Sequence, residues 1–405
     1  MGARPVSPHP FQVVFLHHVP WEGLRHRSHQ FAEGLADRGH EVLYVEAPVS
    51  CGTALRRDRA RLAEPLSRAW QPRPGVTVAQ PPLVPPFSNQ SRTARLVAAR
   101  ITGGFVARLV RQYVEGPLAC LCLLPSAVRV LDSVECQAVA FDLADDYASW
   151  PGAKPAEYRL TAREMEELTR RSDVCFAVSS RLAGGFGPLA RRMVYLPNGA
   201  DTELFAAAMG GPAPPELDDI PRPIVGFAGV LHDFFDVGLL RDVALARPGV
   251  SLVLVGPADT DVGPLRDLSN VHLFGAQPYE RLPGFVASFD VAVLPWKLSA
   301  AGASANPAKL WQYLSAGRAV VSTPVPEARH IEAQPGVFSL AGGVDAFTSA
   351  LDRELATAHE PALIEARLAR TRHEDWSARV DVVEAELAAA LGLGPAPAEG
   401  DRCRT

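Results

Sequence analysis

Short apolar runs alternate with amphipathic helical stretches along this chain, and the whole alternation occurs twice. Residues 11–17 (FQVVFLH) read as a strand. Residues 27–38 follow as a helix that places Phe31, Ala32 and Leu35 on one face, and Gly39 stops it. Residues 41–46 (EVLYVE) are the next strand. A strand, a helix and a second strand in so short a span open a doubly wound parallel sheet. Further strands are expected at 118–124, 138–143, 174–178 and 194–196, and helices at 92–114 and 157–172. Between 51 and 112 the sequence is harder to read: Arg-rich and Pro-rich pieces alternate, with a proline cluster at 81–86. Residues 206–221 (AAAMGGPAPPELDDIP) form a linker, and then the pattern restarts. Strands are expected at 223–229, 251–256, 271–274, 291–295 and 319–322. Helices are expected at 238–247, 279–288, 307–315, 344–355 and 362–391.

A chain of 405 residues is too long for one ordinary core. The expected fold class is therefore α/β, with two Rossmann-like domains facing across a cleft. The expected boundaries are an N-terminal domain at 1–205, the linker at 206–221, a C-terminal domain at 222–372, a terminal helix at 373–391 and a flexible tail at 392–405. The net charge of −5 argues against nucleic acid as a partner. The cysteines form no C-x-x-C pair, and Cys120, Cys122 and Cys175 sit in apolar runs, as expected of a chain in a reducing compartment. The first ten residues lack the pattern of a signal peptide, and no apolar run reaches the length of a membrane span, so a cytoplasmic location is expected. Arginines at 56–61 and along 92–111 suit an anionic membrane face, but Asp58 and Glu64 dilute the first run. The plainer reading is a solvated face, with membrane contact at most peripheral.

In open α/β sheets, ligands bind beyond the carboxyl ends of the strands. Asn306 and Pro307 are a favoured N-cap and first helical residue, so a helix starting there offers free N–H groups to an anion. Lys309 adds a cation in its first turn, while Leu310 and Leu314 are placed to pack on the sheet. Gly226 and Gly229, after the strand at 223–225, permit close approach of backbone to phosphate, with His232 just beyond. In the first domain, Trp21, Gly23, Arg25 and Arg27 lie between the first strand and its helix. Two arginines at a helix start oppose the dipole, which favours a ligand role over a merely solvated end. Asp145 and Asp146 follow the strand at 138–143 and suit either a reactive role or a helix cap.

Residues 304–322 (SANPAKLWQYLSAGRAVVS) and 196–205 (LPNGADTELF) resemble the nucleotide-holding segment and the interdomain signature of GT-B glycosyltransferases of family-four type. Residues 18–27 (HVPWEGLRHR) and 141–146 (FDLADD) are similar to bacterial teichuronic-acid and exopolysaccharide glycosyltransferases. The likeness covers most of residues 11–372. It implies transfer from a nucleoside-diphosphate sugar, with retention, to a glycan, lipid-linked or natural-product acceptor. It implies no catalytic metal and no cofactor beyond the sugar nucleotide. Donor contacts are implied at Gly229, Ser304, Asn306, Pro307, Lys309, Leu310 and Gln312, acceptor contacts at Trp21, Gly23, Arg25 and Arg27, and catalytic roles at Asp145, Asp146 and His232. A homodimer is left open. The sequence departs from the family in one respect above all: Ser304 and Gln312 stand where the family carries two glutamates. The family's basic residues after the glycine loop are also missing, Val230 and Phe235 standing there. These departures keep open a catalytically impaired homologue acting as a scaffold or pseudo-glycosyltransferase, and a sugar-nucleotide epimerase.

Overall fold

In the computed structural model, residues 7, 10–17, 19–22, 25–57, 67–88, 91–147, 155–298 and 308–395 are described. The chain divides into two compact units, Met1–Pro197 with Arg379–Arg404, and Asn198–Ala378.

The N-terminal unit is built on eight strands: β1 (Gln12–Leu16), β2 (Glu41–Val45), β3 (Arg68–Arg73), β4 (Val76–Gln80), β5 (Leu118–Cys122), β6 (Ala138–Leu143), β7 (Val174–Ala177) and β8 (Met193–Tyr195). Their order in the sheet is β3-β4-β2-β1-β5-β6-β7-β8, parallel throughout except at β3–β4. The central strands are apolar on both faces because the sheet is covered on both sides: β5 and β7 are buried at every position. Helix α1 (Arg27–Asp37) returns the chain from β1 to β2, with Phe31, Ala32 and Leu35 fully buried. Gly39 closes it at φ 89, a left-handed conformation open to glycine at little cost. The other helices are α2 (Cys51–Arg57), α3 (Arg92–Tyr113), α4 (Ala127–Val130), α5 (Pro155–Arg171) and α6 (Ser180–Phe186). The β3–β4 hairpin is an addition to the sequence expectation. β3 (RAWQPR) is a largely exposed edge strand without alternation, so no periodicity announces it.

The C-terminal unit carries β9 (Ile224–Ala228), β10 (Ser251–Val255), β11 (Val271–Gly275), β12 (Val291–Leu294), β13 (Ala319–Ser322) and β14 (Phe338–Leu340). All pair in parallel, in the order β11-β10-β9-β12-β13-β14. Numbered within the unit, this is 3-2-1-4-5-6, the doubly wound order whose direction reverses between β9 and β12. Helices α7 (Thr202–Ala207), α8 (Val237–Ala246), α9 (Gly263–Arg266), α10 (Leu282–Ala287), α11 (Ala308–Ser315), α12 (Pro326–Arg329), α13 (Val344–Ala356) and α14 (Pro361–Ala369) cover the sheet.

Two boundaries differ from the sequence reading. The division falls at Pro197/Asn198 rather than around 205–222, because the intervening stretch has core anchors of its own: Phe205 and Leu217 are buried in the C-terminal core. The Ala200 N–H donates to Glu374 O at 2.8 Å, which fixes this stretch to the same unit. The single helix expected at 362–391 is two helices, α14 and α15 (Trp376–Ala390). The break is set by Asp375, whose carboxylate accepts the Ala378 N–H at 2.8 Å and starts the second helix. From Arg379 onward α15 belongs to the N-terminal unit, where Glu386 holds Arg192 through two hydrogen bonds. No helix among the described residues is long and apolar enough to cross a membrane.

Candidate functional site

The sheet of the C-terminal unit reverses direction between β9 and β12, and the carboxyl ends of these strands carry an arrangement that glycine makes possible. Gly229 follows β9 at φ 146 and Gly256 follows β10 at φ 141, backbone that side-chain-bearing residues rarely adopt. A Cβ on Gly256 would lie 2.1 Å from the Gly229 carbonyl oxygen. A Cβ on Gly229 would lie 2.0 Å from Cε and 2.6 Å from Nζ of Lys309. The lysine therefore occupies the space that a side chain at 229 would fill.

Helix α11 brings Lys309 there. Tyr313, one turn on, is fully buried on the same side of the helix and grips the end of β9: its hydroxyl accepts the Ala228 N–H at 2.9 Å and donates to Ala228 O at 3.1 Å. The Lys309 ammonium makes no hydrogen bond or ion pair with a described residue; its recorded contact is the Phe227 ring, 5.7 Å from Nζ to the centroid. Burial disfavours its charged form and holds its pKa down at about 8. A half-buried cation without a carboxylate partner among the described residues, beside close-packed glycine backbone, has the chemistry to take an anion.

The loops after β9 and β12 are tied to each other over this end of the sheet. Asp236 N–H donates to Pro295 O at 2.7 Å, Lys297 N–H to Phe234 O at 2.7 Å, and Lys297 Nζ to Asp233 O at 2.8 Å. Trp296 lies between them against Phe227, Phe234 and Phe235, with its buried Nε1–H lacking a hydrogen-bond acceptor among the described residues. Unused buried donors are uncommon. His232 is half exposed, stacked on Phe234 at 5.1 Å, with Nδ1 3.4 Å from Asp259.

Of the donor residues read from sequence, the structure thus brings Gly229 and Lys309 together. Leu310 is fully buried in the core, and its side chain anchors α11. Gln312 is half-buried on the same helix. Ser304, Asn306 and Pro307 lie outside the described residues, as does Gly23. Sequence reading missed Gly256, Tyr313 and Trp296. Gly256 had a signal, since it ends a buried strand as Gly229 does; the other two read as ordinary core aromatics.

In the N-terminal unit the loop after β1 is held by buried polar groups. The His17 ring accepts the Val19 N–H at 2.9 Å, and the Tyr44 hydroxyl donates to Val19 O at 3.0 Å. Trp21 N–H donates to Glu46 at 2.9 Å, and its ring packs edge-on to Tyr44. Arg25 is held by Glu33 of α1, with one hydrogen bond of 2.9 Å. Arg27 corrects the sequence reading. It is buried, with its guanidinium 2.9 Å from the Asp142 carboxylate and both terminal nitrogens donating to Leu196 O at 3.3 Å. Its charge is spent inside the protein, which also removes the argument that it opposes the helix dipole for the sake of a ligand. Burial pushes the Arg27 pKa down and the Asp142 pKa up, while their mutual attraction opposes both shifts. Asp142 was the missed partner, and its signal was a charge inside a buried strand. Asp145 and Asp146 follow β6 and are half-buried. The Asp146 N–H donates to the Asp145 carboxylate at 2.7 Å, and Arg181 lies 3.4 Å from Asp146. His232 belongs to the other unit. Among the described residues, no cluster of His, Cys, Asp and Glu is arranged to hold a metal ion.

Comparison with known proteins agrees with this geometry. The family model of group 1 glycosyl transferases matches residues 222–357, the body of the C-terminal unit. The Bacillus subtilis protein TuaH, assigned to teichuronic acid biosynthesis as a glycosyltransferase, is 28% identical over 233 residues, covering 55% of this chain and 57% of that protein. The matched part is thus little more than half of the curated relative's length. Among solved structures, an α,α-trehalose 6-phosphate synthase from Burkholderia multivorans superposes with a TM-score of 0.64 at 16% identity, covering 95% of this chain and 99% of that one. Anabaena HepE, in complex with UDP and glucose, gives a TM-score of 0.63 at 16% identity over 94% of this chain and 100% of that one. At such identity these structures speak for the fold. Residues 222–357 thus match a group 1 glycosyl transferase domain, and the chain as a whole shares the GT-B fold of these solved structures.

Proposed function

We propose that this chain transfers a glycosyl group from a nucleoside-diphosphate sugar, with retention of configuration, to a hydroxyl of a glycan, lipid-linked or natural-product acceptor. The observation that carries the reading is the Lys309 ammonium lying across Gly229 at the switch point, half-buried and without an anionic partner among the described residues. On this reading the donor diphosphate supplies the missing anion. The bond between the anomeric carbon and the phosphoryl oxygen breaks, its electron pair leaves on the diphosphate, and the acceptor oxygen takes its place at carbon. Lys309 faces the charge that develops on the leaving group, where a preorganised cation is most effective. The proton lost by the acceptor leaves with the diphosphate. HepE was solved with UDP and glucose, and an Escherichia coli trehalose-6-phosphate protein with UDP-2-fluoro glucose, which makes UDP-sugars the first donors to try. We assign acceptor contact to the loops after β1 and β6 of the N-terminal unit, which carry Trp21 and the Asp145–Asp146 pair.

A second reading is favoured by one feature. Gln312 stands where the resembling family has a glutamate, and an amide gives a ribose diol a weaker contact than a carboxylate. That supports a sugar-nucleotide-binding homologue with impaired catalysis. The test is release of nucleoside diphosphate from a panel of UDP-, GDP-, ADP- and dTDP-sugars, with and without acceptor mixtures, followed by NMR of the product's anomeric centre. Acceptor-dependent release with a retained anomer supports transfer. Diphosphate binding without release supports the impaired homologue, and an epimerised sugar nucleotide would redirect the assignment to an epimerase.

A further inference from the structure

Helix α3 is the longest among the described residues at 22 residues, and its outer face is basic in a chain whose net charge is −5. Its buried side is made of small and apolar residues, Ala98, Thr102, Phe105, Val106 and Leu109 among them. Its exposed side carries Arg92, Arg100, Arg108 and Arg111, together with Leu96 and Val97, each 40% exposed. None of these four arginines pairs with a carboxylate among the described residues. Arg95 is the exception on the helix, drawn inward to Glu164. No Asp or Glu occurs anywhere in residues 81–114.

The segments leading into α3 extend the same surface. The Phe87 carbonyl accepts the Ser91 N–H at 2.9 Å, which places Phe87 at the turn that starts the helix. Phe87 is 63% exposed and has φ 62, the left-handed region that a bulky residue rarely occupies. Helix α2 starts beside the extended segment before that turn, its Cys51 N–H donating to Val84 O at 2.9 Å, and it carries Leu55, 58% exposed. Phe87, Leu96 and Val97 thus leave large apolar side chains in solvent along the turn and α3, interleaved with arginines that have no carboxylate partner among the described residues.

We propose that this face, formed by α3, the turn at Phe87 and the end of α2, docks on an anionic phospholipid bilayer. Exposed apolar side chains with arginines around them, and no acidic residue within 81–114 to repel a negative surface, match what a peripheral membrane contact requires. Charge complementarity selects the partner, since a neutral bilayer would leave the arginines without counter-charge. Each basic residue near an anionic leaflet contributes about a fivefold gain in partitioning.

The experiment is co-sedimentation of the full chain with phosphatidylcholine vesicles, with and without phosphatidylglycerol. Partitioning is expected with phosphatidylglycerol alone and should weaken as salt rises. The pair R100E/R108E should lower it by about 30-fold or more, and L96S/V97S should lower it at unchanged salt dependence. Exposed Arg266 of the C-terminal unit is the control, and R266E should leave partitioning unchanged. R100Q/R108Q checks that the loss follows charge and not folding. Absence of binding to either vesicle, equal binding to neutral vesicles, or an equal loss in R266E overturns the proposal. Retention on a soluble polyanion but not on vesicles also overturns it.

Discussion

Replacing Gly229 by alanine tests the site through a side chain that the substitution never touches chemically. A Cβ there would fall 2.0 Å from Lys309 Cε and 2.6 Å from Nζ, closer than atoms approach in folded proteins. Lysine is flexible, so the contact is relieved by swinging the ammonium out of its place above β9. The backbone at φ 146 adds strain of about 1–3 kcal/mol for any residue with a side chain, which thermal unfolding will read as a lowered Tm. A hydrogen bond to a charged group contributes about 1.5–3 kcal/mol, so loss of the ammonium should weaken nucleoside diphosphate binding about 10- to 150-fold. The parent nucleoside, which lacks the phosphates, should bind as before. Lys309→Ala should give the same pattern without the strain. Calorimetry on the two single variants, the double variant and the parent closes a double-mutant cycle. If alanine acts by displacing the lysine, the double variant loses no more affinity than either single one. A double variant that loses the product of the two factors would refute this, because the glycine would then act through its own backbone.

The lowered pKa of Lys309 predicts a pH step. Its ammonium is charged below about 8 in the free protein and loses its proton above that value, and a diphosphate favours the charged form. Diphosphate affinity should therefore fall as pH rises through 8 while nucleoside affinity stays level, and Lys309→Arg should abolish the step; calorimetry across pH 7 to about 9.5 decides. Asp142→Ala leaves the buried Arg27 uncompensated and should destabilise the N-terminal unit by about 3–5 kcal/mol, with the paired Arg27→Met/Asp142→Leu change costing less; urea unfolding of the three proteins measures this. Tyr313→Phe strips the hydroxyl from both polar groups of Ala228 and should cost about 1–3 kcal/mol in thermal unfolding.

Much of the fold could be read from periodicity, because a parallel sheet covered on both faces writes its strands as continuous apolar runs. The strands that were missed are β3, an exposed edge strand, β4, which is mostly buried but follows an Arg- and Pro-rich stretch, and β14, which is only three residues long. The division of the chain was obscured by composition: an Ala-, Gly- and Pro-rich stretch reads as a linker even when Phe205 and Leu217 anchor it in a core. At the site, residue type and helix position pointed to Gly229 and Lys309, but not to their contact, which depends on the turn taken after β9. Arg27 was misjudged for the opposite reason. Its partner Asp142 lies on a strand distant in sequence, so the arginine read as an exposed cation when it is half of a buried pair.

Calorimetric titration of the full chain with UDP, GDP, ADP and dTDP, each beside its own nucleoside, tests the central claim most directly. A donor site built on Lys309 predicts that one diphosphate binds at least about 10-fold tighter than its nucleoside, and that Lys309→Ala erases the difference. Equal affinity for diphosphate and nucleoside, or a preference that survives Lys309→Ala, would contradict it.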